Sequence, residues 1–274
     1  LDRQDRTDDA FACYRSAQAN FRDVYRSVLE PGPTRPSHRA FIERITAQLV
    51  APLGPVPTEP VPGAAPVHVF LLGYPRSGTT LVENVLASAP GVAALEERDT
   101  LAGSDDVLVH NDGTMPDLPT VDPALLERLR RDYWRRVATM GATTSGTFVD
   151  MNPLNGTRLP IIAALFPAAR ILVMRRDPRD VVLSCYRINF SPSPAAWCFS
   201  DLEEAARHYH ALMTLTERAR ATLPLAFHEV RYDRLVSDFD PTVRAMADFL
   251  DLPWTDAFAR FDRTAQRRGV RTAS

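Results

Sequence analysis

Apolar side chains recur every three or four positions along residues 8–29, which is the spacing of one face of an amphipathic helix. The positions that share this face are Phe11, Tyr14, Ala17, Phe21, Val24, Tyr25 and Val28. Prolines at 31, 33 and 36 end this helix, and Ser37 is placed to cap a second helix that extends to about residue 50. Prolines then recur from residue 52 to residue 66 and exclude regular structure. We therefore predict a helical N-terminal appendage with a proline-rich linker over residues 1–66.

From residue 67 the pattern changes to short, continuous apolar runs that alternate with helical segments. The runs at residues 68–72, 147–151, 170–174 and 225–230 predict strands, with a shorter strand or turn at 92–95. Helices are predicted over residues 79–89, 122–140, 155–165, 179–188, 201–222 and 240–250. Unbroken apolar strands between helices are typical of a parallel sheet that is covered on both faces. The pattern predicts an α/β domain over residues 67–274.

The composition is that of an ordinary globular protein, with 45% hydrophobic and 24% charged residues in a chain of 274. A formal net charge of −2 argues against a nucleic-acid partner, because such proteins carry a basic excess. The chain contains no lysine, so all 32 basic side chains are arginine. Arginine binds phosphate or sulfate through two parallel hydrogen bonds, whereas lysine general-base and Schiff-base chemistry are excluded.

Three widely spaced cysteines, Cys13, Cys185 and Cys198, lack the paired spacing of a zinc site and indicate a reducing compartment. The sequence shows neither a basic-then-apolar leader nor an apolar run near the roughly 18 residues that a membrane span requires. We therefore expect a cytoplasmic protein without a bound metal and without a membrane partner.

The strongest chemical signal is the segment from Gly73 to Thr80, which follows the first predicted strand and opens the next helix. It matches the phosphate-binding pattern G-x-x-x-x-G-K-[ST] at Gly73, Gly78 and Thr80, but Thr79 stands where that pattern has lysine. That lysine reaches the β- and γ-phosphates of a nucleoside triphosphate, so its absence disfavours ATP or GTP chemistry. Arg76 supplies a cation from inside the loop, and free N–H groups at the helix start complete a predicted phosphate cradle.

A second anion-binding candidate follows the predicted strand at residues 170–174. Asp177 and Pro178 have the character of an N-cap and a first helical residue, which places Arg176 at the junction of strand and helix. Ser184 lies one to two turns into that helix. Ligands of parallel sheets bind beyond the carboxyl ends of the strands, so Arg176 and Ser184 are expected to hold a second phosphate.

Several motifs, in this order, resemble the sulfotransferases that use 3′-phosphoadenosine 5′-phosphosulfate (PAPS). Residues 74–81 are similar to their 5′-phosphosulfate loop, and Arg176 with Ser184 looks like their 3′-phosphate site. Residues 150–155, 166–172, 230–235 and 252–254 also resemble family segments, so the resemblance covers about residues 67–274. Within the family, the chain looks most like the bacterial tetratricopeptide-linked sulfotransferases and the tyrosylprotein sulfotransferases. Residues 1–15 resemble the end of a tetratricopeptide array.

This resemblance implies a P-loop-containing, nucleotide-kinase-like sheet that takes PAPS as donor and releases the bisphosphate PAP. The implied donor contacts are Arg76, Ser77, Gly78, Thr79, Thr80, Arg176, Ser184 and Tyr232. Sulfuryl transfer passes in line between two oxygens, so the protein must supply positioning, charge stabilisation and a proton acceptor. No metal is required for this chemistry.

The tyrosylprotein enzymes take their base from a glutamate pair shortly after the loop helix, and Glu96 and Glu97 stand at the matching place. Glu97 matches the second glutamate and is the predicted base, with Glu96 as the alternative. His110 is a further alternative, because the cytosolic sulfotransferases use histidine. Two adjacent carboxylates raise the pKa of one of them if both are buried, which favours a base that acts near neutrality.

One position departs from the tyrosylprotein pattern, because Met151 stands at the place of a catalytic lysine. Arg158, one turn into the following helix, is the candidate for supplying the missing positive charge toward the transferring group.

Three functions remain open at this point: a PAPS-dependent sulfotransferase, a P-loop kinase or NTPase with an altered loop, and a non-catalytic nucleotide-binding module. In the last of these, the helical appendage recruits a protein partner. Thr79 disfavours the second function, whereas Met151 keeps the third open. The acceptor is a small molecule, a glycan or a peptide or protein that offers a hydroxyl or amine. The stretches 103–119 and 189–200 are predicted to line the acceptor side.

Overall fold

The computed structural model describes residues 4–33, 35–49, 60–110 and 114–262. The chain begins with two helices, α1 (Thr7–Leu29) and α2 (His38–Gln48). Ser37 caps α2 as expected, since its hydroxyl accepts a hydrogen bond from the amide of Ala40. Most of the predicted proline-rich linker, residues 51–59, lies outside the described residues, as does the C-terminal stretch 263–274.

Five parallel strands form one sheet in the order β2-β3-β1-β4-β5. They are β1 (Val67–Leu72), β2 (Val92–Glu96), β3 (Thr147–Met151), β4 (Arg170–Arg175) and β5 (Ala226–Arg231). The central strand β1 aligns Leu71 with Met151 on one side and with Leu172 on the other. The predicted parallel sheet of nucleotide-kinase type is therefore confirmed, and the segment at residues 92–95 is a strand.

Nine further α-helices follow in the described residues: α3 (Thr79–Ala87), α4 (Ala102–Leu108), α5 (Pro123–Thr139), α6 (Leu159–Leu165), α7 (Pro178–Arg187), α8 (Pro194–Phe199), α9 (Leu202–Thr222), α10 (Tyr232–Ser237) and α11 (Phe239–Phe249). The sequence pattern misses the short helices α4, α8 and α10. It also places a helix start at residue 155, where the structure has a 3₁₀ turn over Pro153–Arg158 before α6 begins. These elements are too short for a periodic signal, and tertiary packing decides their conformation.

The sheet is covered on both faces, because β1 sends alternate side chains into two hydrophobic cores. Phe70 and Leu72 pack on the side of α5 and α9, whereas Val69 and Leu71 pack on the side of α3 and α11. All four side chains are fully buried. On the first side, α2 packs against α9, and the Gln18 amide of α1 donates a hydrogen bond to the carbonyl of Tyr186 in α7. The N-terminal helices thus lie directly on the α/β core.

Candidate functional site

The loop between β1 and α3 is held in a tight turn at the carboxyl edge of the sheet. The Gly73 amide donates to the carbonyl of Pro153 at 3.1 Å, which ties the end of β1 to the segment after β3. Arg76 and Gly78 adopt left-handed backbone angles, with φ of 71° and 105°. A β-carbon on Gly73 would lie 2.7 Å from the carbonyl oxygen of Met174 and 3.0 Å from Ser77 Oγ. Glycine is therefore required where the loop passes β4.

The interior of this loop offers hydrogen-bond donors that nothing in the described protein uses. Ser77 is buried, and its Oγ has no hydrogen-bond partner among the described residues. Thr79, at the position of the P-loop lysine, is also buried. The amides of Thr79 and Thr80, the first two residues of α3, precede the first helical hydrogen bond, which the Leu81 amide donates to the carbonyl of Gly78 at 3.1 Å. A buried hydroxyl beside a helix N-terminus matches the needs of a bound phosphate oxygen.

Arg76 connects the two anion-binding candidates. Its Nε donates to the hydroxyl of Ser184 on α7 at 3.2 Å. The neighbouring thiol of Cys185 is buried beneath the loop and donates to the carbonyl of Pro75 at 3.4 Å. Burial raises the pKa of this thiol to about 12, so it remains protonated and keeps the proton that it donates to Pro75. The loop and α7 are thereby held against each other.

Arg176 and Tyr232 form the other wall of the candidate site. The Arg176 guanidinium lies 4.4 Å from the centre of the Tyr232 ring and pairs with Asp180 at 3.3 Å. A β-carbon on Gly78 would lie 2.7 Å from Tyr232 Cδ2, so the ring edge touches the loop. A cleft of about 710 Å³ opens beyond β4 and β5, lined in part by Arg176, Tyr209 and Tyr232. Two of the predicted donor residues therefore line a cleft of ligand size.

The glutamate pair lies beside the loop at the end of β2. Thr80, at the start of α3, donates its hydroxyl to Glu96 Oε1 at 3.2 Å. Glu97 is exposed, has a left-handed φ of 48°, and donates its amide to the Met151 carbonyl at 2.7 Å. Partial loss of hydration raises the pKa of the Glu97 carboxyl, the charge of Glu96 raises it further, and Arg76 acts to lower it. Arg76 and Glu97 thus interact electrostatically across the site.

The other residues that the sequence suggested for catalysis or acceptor binding lie in different environments. The side chain of Met151 is fully buried in the core on the α3 side. Arg158 donates through Nε to Asp105 Oδ2 at 2.7 Å and lies 4.0 Å from Asp99, so acidic groups balance its charge. His110 is exposed on the segment after α4, where its amide bonds to the carbonyl of Thr114. Residues 115–119, in one of the two stretches assigned to the acceptor side, line an apolar cavity of about 220 Å³ together with α2.

A buried polar chain beneath the glutamate pair was missed at the sequence level. Asp150, on β3, accepts hydrogen bonds from Thr100 at 2.6 Å and from Tyr133 at 2.7 Å. Because Tyr133 uses its proton on Asp150, its oxygen accepts from Nε2 of His68 at 2.8 Å. Burial raises the pKa of Asp150 to about 6, although both hydrogen bonds and Arg158 act to lower it. An aspartate inside an otherwise apolar strand is the signal that could have revealed this chain.

A second buried chain joins the loop to the N-terminal helices. Tyr74 contacts Nδ1 of His208 at 2.9 Å, and Nε2 of His208 contacts Nδ1 of His38 at 2.7 Å. Burial lowers the pKa of both imidazoles, that of His38 to about 4, so both rings are neutral near pH 7.

No group of three or more His, Cys, Asp or Glu side chains suited to a metal ion occurs within the described ranges. In the same part of the chain, no helix combines the length and hydropathy of a membrane span.

Comparison with known proteins places these features in a family. An uncharacterized protein of Aquifex aeolicus is 28% identical over 215 residues, which are 75% of this chain and 28% of that protein. Protein-tyrosine sulfotransferase 1 of Danio rerio is 23% identical over 218 residues, 73% of this chain and 58% of that enzyme. The chain therefore spans less than two thirds of either relative. The sulfotransferase domain from the curacin biosynthetic pathway is 19% identical, with a TM-score of 0.49 over 71% of this chain and 77% of that one. Residues 66–256 match the profile of the Sulfotransferase family, and this chain belongs to that family.

Proposed function

We propose that this chain transfers a sulfuryl group from PAPS to a hydroxyl or amine acceptor. The observation that carries the proposal is the position of Arg76. Its guanidinium contacts Ser184 of the second anion-binding candidate and acts electrostatically on Glu97, the candidate base. A single cation thus joins the phosphate loop, the second phosphate site and the proton acceptor. Family membership supports the same assignment.

The residues of the site fit a donor that carries two separate phosphate groups. The N–H groups at the start of α3, the unpaired Ser77 hydroxyl and Arg76 would hold the 5′-phosphosulfate. Arg176 and Ser184 would hold the 3′-phosphate, with the Tyr232 ring beside the adenosine in the cleft. Thr79 and Thr80 complete the loop at the helix start. PAP is the product released from this site.

The proposed chemistry is an in-line displacement. The acceptor oxygen or nitrogen forms a bond to sulfur while the bond between sulfur and the bridging phosphate oxygen breaks, and that electron pair leaves with PAP. Arg76 and the loop N–H groups stabilise the charge that develops on the leaving phosphate. Glu97 takes the acceptor proton, and its raised pKa brings it closer to the working pH than an ordinary glutamate. Arg158 is proposed to direct positive charge toward the sulfuryl group, a role that requires its ion pair with Asp105 to open.

Two other functions stay as competitors. A kinase or NTPase needs a cation at the P-loop lysine position, where the buried Thr79 stands. A non-catalytic nucleotide-binding module is favoured by one observation, since the buried Met151 side chain cannot act as the family lysine. In that case the N-terminal helices would dock a protein partner. For each of these functions we propose a cytoplasmic location, because the free thiols of Cys13, Cys185 and Cys198 are stable there.

Calorimetric titration with PAP, ADP and ATP distinguishes the donor-binding functions. We expect PAP to bind at least about tenfold more tightly than ADP, because only PAP offers a 3′-phosphate to Arg176 and Ser184. Arg76→Ala and Arg176→Ala should each lower the affinity for PAP by about tenfold or more. Arg179→Ala is the matched control, because Arg179 is exposed and pairs only locally with Asp177. Tight ATP binding that ignores the 3′-phosphate would instead support the kinase or NTPase.

A transfer assay with radiolabelled PAPS then tests catalysis. The acceptor panel contains a phenol, an aliphatic alcohol, an amine, a glycan and a tyrosine-containing peptide. We expect Glu97→Gln to bind PAP like the unchanged protein and to lose transfer by about a hundredfold or more, the range of a lost general base. Glu96→Gln and His110→Gln test the alternative bases. PAP binding without transfer to any member of the panel would favour the non-catalytic module.

A further inference from the structure

The Asp150 carboxylate is a fully buried acidic group beside the candidate site. It lies on β3, its residue is fully buried, and its Oδ2 accepts both hydrogen bonds that the carboxylate receives. Oδ1 is also buried and has no partner among the described residues. A buried carboxylate with one unpaired oxygen costs free energy, which points to a role other than stability.

The two donors to Oδ2 come from different parts of the molecule. Tyr133 approaches from α5 in the hydrophobic core, where it also contacts His68. Thr100 belongs to the turn that leads from β2 to α4, only three residues after Glu97. Asp150 therefore links the core directly to the segment that carries the candidate base.

The same stretch of β3 holds the other end of that turn. The carbonyl of Met151, the next residue after Asp150, accepts the hydrogen bond from the Glu97 amide. Glu97 needs this support, since its left-handed φ of 48° is unfavourable for a residue with a side chain. Asp150 at one end and the Met151 carbonyl at the other thus clamp residues 97–100.

We propose that Asp150 is a positioning residue that holds Glu97 in place through Thr100. The inference rests on the proposed role of Glu97 as the base. Charged groups lie near the Glu97 carboxylate. Glu96 precedes it at the end of β2, and Arg76 faces it from the loop. Asp99, in the same turn, faces Arg158. If the turn relaxes, Glu97 moves relative to these charges and becomes better hydrated. Its titration is therefore a direct measure of its position.

The test compares two substitutions, each of which removes one of the two hydroxyls that donate a hydrogen bond to Asp150 Oδ2. Thr100→Val releases the turn, whereas Tyr133→Phe removes the donor on the core side, and both residues are buried. Thr100→Ser restores the hydroxyl, and Thr100→Ala gives a second loss variant in case valine prevents folding. Glutamate side chains are labelled with carbon-13 at the carboxyl, Glu97→Gln assigns the signal, and each protein is titrated by NMR. PAP binding is measured on the same samples.

We expect the pKa of Glu97 to fall toward that of an ordinary, hydrated glutamate in Thr100→Val and Thr100→Ala. In Thr100→Ser and Tyr133→Phe it should stay as in the unchanged protein, and PAP affinity should stay within twofold in all four variants. An unchanged Glu97 titration in both loss variants, or an equal shift in Tyr133→Phe, would overturn the inference. Failure of the unchanged protein to bind PAP would refute the donor proposal and leave this contrast measurable.

Discussion

Replacement of Asp150 by asparagine should change how the stability of the protein depends on pH. The carboxyl is fully buried, and its pKa is raised from the ordinary 3.8 to about 6, chiefly by burial. Asparagine has the same shape, keeps an acceptor for Thr100 and Tyr133, and does not titrate. The comparison therefore isolates the ionisation of one group.

The sign and size follow from proton linkage. Because the folded protein binds this proton more tightly than the unfolded chain, the contribution of Asp150 to stability is fully present below about pH 4 and is lost as the pH rises through 6. A difference of about two pKa units corresponds to about 3 kcal/mol in total. Between about pH 4.5 and pH 7.5, the linkage relation gives a loss of about 2 kcal/mol.

The assay is urea unfolding of both proteins at intervals between pH 4.5 and pH 7.5. We expect the unfolding free energy of the unchanged protein, minus that of Asp150→Asn, to fall by about 2 kcal/mol over this range. Titrating groups that lie away from this hydrogen-bonded chain are common to both proteins and cancel in the difference. A difference that stays flat or grows with pH would refute the reasoning, since it would mean that the site does not favour the protonated carboxyl.

Two further predictions concern the phosphate loop, residues 73–80. Gly78→Ala should lower the free energy of unfolding by about 1–2 kcal/mol, because residue 78 has a left-handed backbone conformation that alanine disfavours. It should also lower PAP affinity by more than about tenfold, because the new methyl group displaces Tyr232. Gly141→Ala is the control, since it has a φ of +84° with no atom within 4 Å of the new methyl and should show the strain without the loss of PAP binding; equal PAP affinities would contradict the prediction. His208→Phe should lower the free energy of unfolding by about 1–3 kcal/mol in chemical unfolding, because it removes the contacts that join Tyr74 to the N-terminal helices. An unchanged unfolding midpoint would show that the contacts between Tyr74, His208 and His38 contribute no stability.

Much of the fold was predictable because it depends on local patterns. The apolar runs located the strands, and Ser37 and Asp177, two caps expected from the sequence, do accept the capping hydrogen bonds that begin their helices. The three missed helices α4, α8 and α10 have six or seven residues each. A helix of that length has little intrinsic stability, so its existence is decided by the surfaces that it packs against.

The candidate site was predictable in its parts and not in its connections. The loop residues and the pair Arg176 and Ser184 follow from motif spacing, yet nothing in the sequence indicates that Arg76 bonds to Ser184 across 108 positions. The partner of Arg158 was equally hidden, because Asp105 lies 53 positions earlier in the chain. The assignments of Glu97 and Arg158 to catalysis remain predictions, and the transfer assay on Glu97→Gln tests the first of them.

The sequence by itself determined the parallel α/β architecture, the phosphate loop without lysine and the family to which the chain belongs. These depend on the order of residues along a few turns or strands, where neighbours in sequence are neighbours in space. Only the tertiary structure decided that Asp150 accepts a hydrogen bond from Thr100 and that His38 and His208 connect the N-terminal helices to the loop. Such contacts join residues that lie far apart along the chain, and they form only when the sheet order and helix packing are complete.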